Sequence, residues 1–316
     1  MEKLLSILKP IELLKLKLRY LYESKGYRKY TMSRFEEYGL YLENRNFLIN
    51  DAVITFTDLD GRLLALKPDV TLSIVKHSTD FEQRLYYTEN VYRPDRAKRS
   101  FKEIEQVGLE RIGALDDDSV AEVVSLAAQS LKIVSVDSLL EISHCGFVKG
   151  LLSTVTNDFD VRAKLLKAIE EKNVHGLTDV AVSAGVEEKY ISILQNVVFL
   201  SGDFDDIIFA ASCLCVCEEM KNALDDLALL NERLKSVNDL CEIKVDLSLV
   251  GAEDYYNGVV FSGYIKGLPF RVLSGGRYDA LLKRFGRQSG ALGFAIYLDE
   301  LDALSVTQRI DDSKEG

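Results

Sequence analysis

The feature that most constrains the fold is a pair of long strand-like segments joined by a short basic loop. Residues 85–93 (LYYTENVYR) and 101–112 (FKEIEQVGLERI) are rich in aromatic and branched side chains, and PDRAKRS connects them. Two such segments with so short a connection predict an antiparallel hairpin. Since an isolated hairpin is marginally stable in water, this one should belong to a larger sheet.

The second strand of this hairpin carries polar side chains beside a glycine. Side chains alternate between the two faces of a strand, so Ile104, Gln106, Gly108 and Glu110 share one face. A gap at the glycine, with an amide and a carboxylate on either side, would suit a small polar ligand. Alternation alone also permits the simpler interpretation that Gln106 and Glu110 face water on a one-sided sheet.

The rest of the chain divides into three blocks. Residues 1–150 begin with a helix, continue through strands near Phe56 and at 63–66, and contain a helix capped near Asp116. Residues 151–237 are charged and helical, which indicates an inserted helical unit. In residues 238–316 the pattern predicts strands at IKVDLSLV, GVVFSGYI and LPFRVL, a glycine turn entering a helix at SGGRYDALLKRFG, and an apolar helix at GALGFAIYLDELDAL.

Composition excludes several classes of function. The net charge of −11 and the pI near 5.0 argue against binding a polyanion through broad basic patches, and no apolar stretch has membrane length. Cys213, Cys215 and Cys217 lack the paired spacing of a zinc site and are interpreted as part of a buried or partly buried helix. We therefore expect a cytoplasmic protein without a structural metal.

Four segments, in this order along the chain, resemble histidyl-tRNA synthetase, a class II aminoacyl-tRNA synthetase. YYTENVYRPDRAKRSFKEIEQVGLERIG resembles the motif 2 hairpin, EDYYNGVVF and SGGRYDALLKRFG resemble the two histidine signatures, and GALGFAIYLDEL resembles motif 3. The resemblance covers essentially the whole chain. It implies an α+β fold, a class II synthetase-like core with a mostly antiparallel sheet flanked by helices and a helical insertion.

The resemblance also implies a histidine-binding site. Asp69, Thr71 and Gln106 match residues that hold the amino group of histidine, with Asp69 replacing the family's usual glutamate. Glu110 and Tyr256 match residues that bind the imidazole, and Tyr255 and Tyr278 match neighbouring walls of the pocket. Arg93 matches the motif 2 arginine, whose planar guanidinium faces a carboxylate or phosphate.

Two departures from the family indicate that the chemistry is lost. Gly251 stands where the synthetase has an arginine before its Asp-Tyr-Tyr, and Glu300 stands in place of the motif 3 arginine that holds ATP. Losing one transition-state arginine in phosphoryl chemistry costs on the order of 10³-fold, so we expect aminoacylation to be absent or vestigial. Ser33 replaces the expected proline in TMSRFEEYGLYLE, which weakens without removing the expectation of a synthetase-like dimer.

The chain ends shortly after the motif 3 segment, so we expect no anticodon-binding domain and no binding of tRNA. This architecture resembles the regulatory subunit of ATP phosphoribosyltransferase, which joins a short catalytic subunit in a hetero-octamer that histidine inhibits. The resemblance implies a partner of that kind, L-histidine as effector, and neither catalytic residues nor a cofactor in this chain.

Two other functional classes stay open at this point. The chain could be an adenylate-forming enzyme or another histidine-binding synthetase paralogue that holds phosphate with Arg93, Arg96 and Arg99, or a scaffold whose pocket binds nothing. The loop from Arg93 to Arg99 is interpreted equally well as a remnant of a phosphate-binding loop or as a solvated turn.

Overall fold

The predicted hairpin is the longest strand pairing among the described residues. The computed structural model describes residues 7–44, 53–95, 98–251, 255–299 and 301. Strand β5 (Gln83–Asp95) pairs antiparallel with β6 (Ser100–Gly113), from Gln83 opposite Ile112 to Asp95 opposite Ser100. The prediction of a long antiparallel hairpin is therefore confirmed.

Two sheets contain the strands of the described residues. The other strands are β1 (Arg28–Lys29), β2 (Phe35–Glu37), β3 (Thr55–Thr57), β4 (Leu63–Leu66), β7 (Ser138–His144), β8 (Ser201–Gly202), β9 (Glu242–Asp246), β10 (Val259–Ile265), β11 (Leu273–Arg277) and β12 (Gly290–Tyr297). A nine-stranded sheet has the order β1-β5-β6-β12-β11-β10-β7-β9-β8, and β2-β4-β3 form a small sheet. Only the pairs β1–β5 and β7–β9 are parallel in these sheets.

Helices lie on both faces of the large sheet. They are α1 (Pro10–Ser24), α2 (Tyr38–Glu43), α3 (Thr71–His77), α4 (Asp117–Val134), α5 (Cys145–Val155), α6 (Phe159–Glu170), α7 (Val174–Ser183), α8 (Glu188–Val197), α9 (Phe204–Ser212), α10 (Glu218–Leu234) and α11 (Asp279–Arg284). Helices α1 and α4 pack on one another, and their Tyr22 and Leu126 share a buried core with Leu109 and Phe294 of the sheet.

The helix predicted after Asp116 is confirmed together with its cap. The Asp116 side chain accepts a hydrogen bond from the Ser119 backbone N–H at 2.9 Å, which satisfies one of the free donors at the start of α4. The helical character of residues 151–237 is likewise observed in α5 to α10, although α5 begins earlier, at Cys145. Buried residues of these helices belong to the same hydrophobic core as residues of the sheet. The division of the chain into three blocks stays a prediction.

Two predictions near the end of the chain are wrong. GALGFAIY forms strand β12 between β6 and β11, and helix begins only after it, at Leu298. In SGGR, the residues expected to form a turn belong to β11, whereas most of LPFRVL lies outside any strand. A short apolar run rich in glycine and alanine fits a buried strand as well as a helix, and only the packing on both faces decides.

The prediction that the three clustered cysteines belong to one helix is wrong. Cys213 follows the end of α9, and Cys217 caps α10, so Cys215 lies in the connection between the two helices. All five cysteines are free thiols. Within the described ranges, no helix is both long enough and apolar enough to cross a lipid bilayer.

Candidate functional site

A cavity of about 290 Å³ lies on the face of the large sheet opposite α1 and α4. Strands β6, β12, β11 and β10 form its floor, and residues near the start of α3 and before β10 and α11 form its walls. The structure brings all eight residues of the sequence-based site prediction to this cavity: Asp69, Thr71, Arg93, Gln106, Glu110, Tyr255, Tyr256 and Tyr278. Residues far apart in the sequence therefore converge on one pocket.

Glu110 is the most deeply buried acid of the pocket, with 1% of its surface exposed. Thr71 Oγ1 donates a hydrogen bond to Glu110 Oε1 at 2.8 Å, and the Tyr278 hydroxyl donates to Oε2. Burial raises the pKa of Glu110 to about 8, because desolvation outweighs these two hydrogen bonds. In the absence of a positively charged partner, this carboxyl group is therefore mainly protonated at neutral pH.

The carboxylate has space only because β12 carries a glycine beside it. Gly293 lies directly opposite Glu110, and a Cβ atom at position 293 would overlap the Glu110 carboxylate. Gly293 thus permits a close approach of the Glu110 side chain to the backbone of β12.

Asp69 and Arg93 form a charged pair at the wall of the pocket. Asp69 accepts a hydrogen bond from the Leu72 backbone N–H at 2.8 Å, and Arg93 Nη2 lies 3.9 Å from Asp69 Oδ2. Arg93 Nε also donates to the Pro68 carbonyl at 3.0 Å. Burial raises the pKa of Asp69, while Arg93 and backbone N–H groups oppose that rise.

Gln106 lines the same floor and has an unsatisfied donor. Its side chain is 2% exposed, and its Nε2 atom has no hydrogen-bond partner among the described residues. A buried amide group without a partner is costly, so a ligand acceptor at this position would remove a penalty of about 1–3 kcal/mol.

The expected gap at Gly108 is not free. Tyr87 on β5 pairs with Gly108, and its ring and hydroxyl occupy the space that a side chain at position 108 would take. The expectation that the ligand fills this gap is therefore wrong. Tyr87 is itself part of the pocket wall between Gln106 and Glu110, and the sequence analysis missed it.

Three tyrosines form the wall over the floor. The Tyr255 ring contacts those of Tyr256 and Tyr278, with centroids 4.7 and 5.8 Å apart. The ring of Tyr256 lies between two glycines, since a Cβ atom would come within 2.7 Å of it at Gly251 and within 2.6 Å at Gly276. Gly251 also has a φ of +70°, a conformation that favours glycine.

Several other pocket residues were not predicted. Arg271, Ser262, Ser274 and Tyr297 complete the cavity at its β10–β12 end, and the Tyr297 hydroxyl and Ser274 Oγ are 2.5 Å apart. The sequence pattern assigned residues 290–297 to a helix, so it did not show that Tyr297 pairs with Gln106 on the same face of the sheet. The predicted positions Glu300 and Arg96 lie outside the described residues.

The pocket offers acidic groups, hydroxyls and an unpaired amide donor within a small volume. It therefore fits a compact polar ligand that carries both a cationic donor and an acceptor. Two described cations line it: Arg93 lies beside Asp69 and donates to the Pro68 carbonyl, and Arg271 lies at the β10–β12 end. The pocket presents no cluster of free cations for a polyphosphate within the described residues.

Comparison with known proteins agrees with this geometry. The family model for histidyl-tRNA synthetase matches residues 4–301. The ATP phosphoribosyltransferase regulatory subunit of Clostridium kluyveri is 32% identical over 292 residues, which cover 89% of this chain and 74% of that relative. This chain belongs to the histidyl-tRNA synthetase-like family of ATP phosphoribosyltransferase regulatory subunits.

Solved structures related to this regulatory-subunit family have the same fold. An ATP phosphoribosyltransferase regulatory subunit/histidyl-tRNA synthetase from Bacillus halodurans is 31% identical, with a TM-score of 0.81 over 91% of this chain and 77% of that one. A chain of the ATP phosphoribosyl transferase (HisG:HisZ) complex from Thermotoga maritima is 19% identical, with a TM-score of 0.69 over 90% and 96%. The resemblance and the synthetase-like α+β fold are thus confirmed.

Proposed function

We propose that this chain is a non-catalytic regulatory subunit that binds free L-histidine and controls a short-form ATP phosphoribosyltransferase. The observation that carries the proposal is the convergence of all eight expected histidine-binding residues on one cavity. In this role the chain activates its catalytic partner and makes it sensitive to histidine, the end product of the pathway.

The pocket supports histidine because its polar groups match the ligand's functional groups. An imidazole has two ring nitrogens, and Glu110 with Tyr256 can bind it as acceptor and donor. Asp69, Thr71 and Gln106 line the same cavity, where their side-chain oxygen atoms would accept hydrogen bonds from the α-amino group. Both acids are buried, so a cationic ligand group gains more from them than it would in water.

The same pocket supports the loss of adenylation. Gly251 supplies no cation, and the ring of Tyr256 occupies the space beside it. Arg93 is held between Asp69 and the Pro68 carbonyl rather than directed freely at a phosphate. Since phosphoryl transfer depends on cations that stabilise the transition state, we assign the catalytic activity to the partner chain.

The relatives support assembly with a catalytic chain. The Thermotoga maritima structure is a complex of two kinds of subunit, and the relatives above are named regulatory subunits. We propose that this chain forms a dimer and, with its partner, a hetero-octamer. The rings of Phe35 and Phe56 on the small sheet support self-association, because they pack at 5.5 Å yet are 46% and 37% exposed.

The remaining expectations concern partners and location. A net charge of −11 disfavours binding of tRNA, whose backbone is a polyanion. Five free thiols are consistent with the reducing cytoplasm, where we place the protein.

Regulation in this proposal is a coupling free energy between the histidine pocket and the catalytic partner. Histidine inhibits if it binds more tightly to the conformation of this chain that supports low activity. Such couplings are typically about 1–3 kcal/mol, equivalent to about 5–150-fold in affinity.

The test is formation of phosphoribosyl-ATP by the short catalytic subunit from the same genome, with and without this chain, across a histidine titration. We expect activation by this chain and inhibition by histidine. The variant Glu110→Gln should weaken the response to histidine while leaving activation intact. Glu103→Gln makes the same change on the same strand outside the cavity and should behave as the wild type.

The outcomes separate the alternatives. No effect of this chain on the rate would refute the regulatory role, and pyrophosphate exchange dependent on an amino acid would establish an adenylating enzyme instead. Activation with a histidine response that every pocket variant retains would show that the pocket is not the sensor.

A further inference from the structure

Arg271 is a cation of the cavity that neither the family resemblance nor the sequence pattern assigns to the site. It lies between β10 and β11, in the segment expected to be a strand, and its side chain lines the pocket. Arg271 is solvent-exposed, and its guanidinium makes no ion pair or hydrogen bond with another residue that the structure describes. A guanidinium has five donors, and all of those of Arg271 are available to a ligand or to water.

The rest of the described pocket is short of positive charge. Asp69 and Glu110 supply acidic groups, whereas Arg93 lies beside Asp69 and already donates to the Pro68 carbonyl. An amino acid is a zwitterion, so its carboxylate requires a cation or strong donors within the same cavity. Gly251 provides none, and the Tyr256 ring blocks a side chain at that position.

The sheet places Arg271 within reach of the residues expected at the amino group. Gln106 on β6 pairs with Tyr297 on β12, and the Tyr297 backbone N–H donates to the carbonyl of Val272 at 2.9 Å. Val272 follows Arg271 directly and lies two strands from Gln106, a separation of about 9.5 Å. A long arginine side chain and a small ligand together can span that distance.

The floor between these two residues is open and polar. Ser262 and Ser274 are paired across β10 and β11, and Ala295 on β12 pairs with Ser274. These small side chains leave room above the sheet, and the serine hydroxyls can hydrogen-bond an anion. Arg271 also faces Tyr256 and Tyr264, and its charge lowers the pKa of both hydroxyls against the larger effect of burial.

We infer that Arg271 binds the carboxylate of the amino acid in this pocket and so replaces, from a different segment, the cation that Gly251 does not supply. The ligand then lies across β12, with its amino group toward Gln106 and Asp69 and its carboxylate toward Arg271. This assignment rests on the proposed binding of histidine. It adds a residue that selects an amino acid over an amine of the same shape.

The test compares L-histidine with L-histidinol, which keeps the imidazole and amino group but has an alcohol in place of the carboxylate. Calorimetry on the full chain measures both ligands with the wild type, Arg271→Gln and Arg271→Lys. A charged hydrogen bond contributes about 1.5–3 kcal/mol, so Arg271→Gln should bind histidine at least about tenfold more weakly. Its affinity for histidinol should stay the same or increase, because a repelling cation has been removed.

The control variant is Lys266→Gln, which removes one charge from the same β10–β11 connection without altering the cavity lining. It should keep the wild-type preference for histidine over histidinol. Arg271→Lys keeps the charge but not the bidentate geometry and should lie between wild type and Arg271→Gln. Thermal unfolding of each variant confirms that the comparison is made on folded protein.

Each result has a definite meaning. Equal loss of both ligands in Arg271→Gln, or an unchanged preference for histidine, overturns the role of Arg271 while the proposed function stands. If the wild type binds neither ligand, the proposed histidine site fails, and the assignment of Arg271 fails with it.

Discussion

In the proposed histidine site, the buried carboxyl group of Glu110 should make histidine affinity depend on pH in a way that one substitution can isolate. Burial raises its pKa from an ordinary value of 4.5 to about 8, while the imidazole of histidine has an ordinary pKa of about 6.5. Between these two pH values the free carboxyl and the free imidazole together carry one proton. In the complex they also share one proton, whichever group holds it, because Glu110 and the imidazole titrate as a coupled pair.

The sign of the effect follows from this proton count. Below pH 6.5 the two free groups carry two protons, and one must be released on binding; above pH 8 they carry none, and one must be taken up. Affinity should therefore be greatest between about pH 6.5 and 8, fall about fivefold between pH 8 and 9, and approach a tenfold fall per pH unit beyond that. Glu110→Gln has no carboxyl group to titrate, so its affinity lacks the decline that Glu110 causes.

The assay is calorimetric titration of histidine into wild type, Glu110→Gln and the control Glu103→Gln from pH 6 to 9.5. The α-amino group of histidine also titrates at high pH, but it does so equally for all three proteins. The ratio of the Glu110→Gln and wild-type dissociation constants should change about fivefold between pH 8 and 9. A ratio that stays constant over this range would refute the proton-sharing argument.

The unfolding free energy gives a second, ligand-free measurement of the same group. Between pH 4.5 and about 8 the folded protein holds a proton on Glu110 that the unfolded chain has lost, so stability falls as pH rises. At about 1.36 kcal/mol per pH unit, this difference amounts to at most about 5 kcal/mol. Urea unfolding of Glu110→Gln should show a smaller loss of stability across that range than the wild type does.

Three further predictions concern other parts of the structure. Gly251→Ala should weaken histidine binding in calorimetry, because its Cβ atom would lie 2.7 Å from the Tyr256 ring and displace it, and because the left-handed backbone at this position favours glycine. Gly251→Arg should not produce pyrophosphate exchange. Lys67→Met should destabilise the fold by about 3–5 kcal/mol in urea unfolding, because Lys67 is fully buried against Glu89 at 2.5 Å, and adding Glu89→Leu should recover much of the loss. Asp116→Ala should lower the free energy of unfolding by about 1 kcal/mol, because it removes the cap of α4. Asp117→Ala removes a neighbouring acid but keeps the cap, so it should lower the free energy of unfolding by less.

The sequence by itself was sufficient for the long hairpin, the cap of α4 and eight of the residues that line the cavity. Each depends on local rules or on a resemblance in which residue type and order are preserved. Alternation along 101–112 placed Gln106 and Glu110 on one face, as observed. The family resemblance then linked Asp69 and the tyrosines at 255, 256 and 278 to them, although the residues are far apart in the chain.

Tertiary structure decided which side chains occupy the space beside each glycine of the pocket. A glycine in a sequence shows only that a side chain is absent; the partner that occupies its space comes from another strand. Thus Tyr87 fills the space at Gly108, the Glu110 carboxylate fills that at Gly293, and GALGFAIY is a strand because both of its faces are covered. The position of Arg271 in the cavity likewise depends on how β10 and β11 are joined, since side chains from distant segments meet only when the sheet is complete.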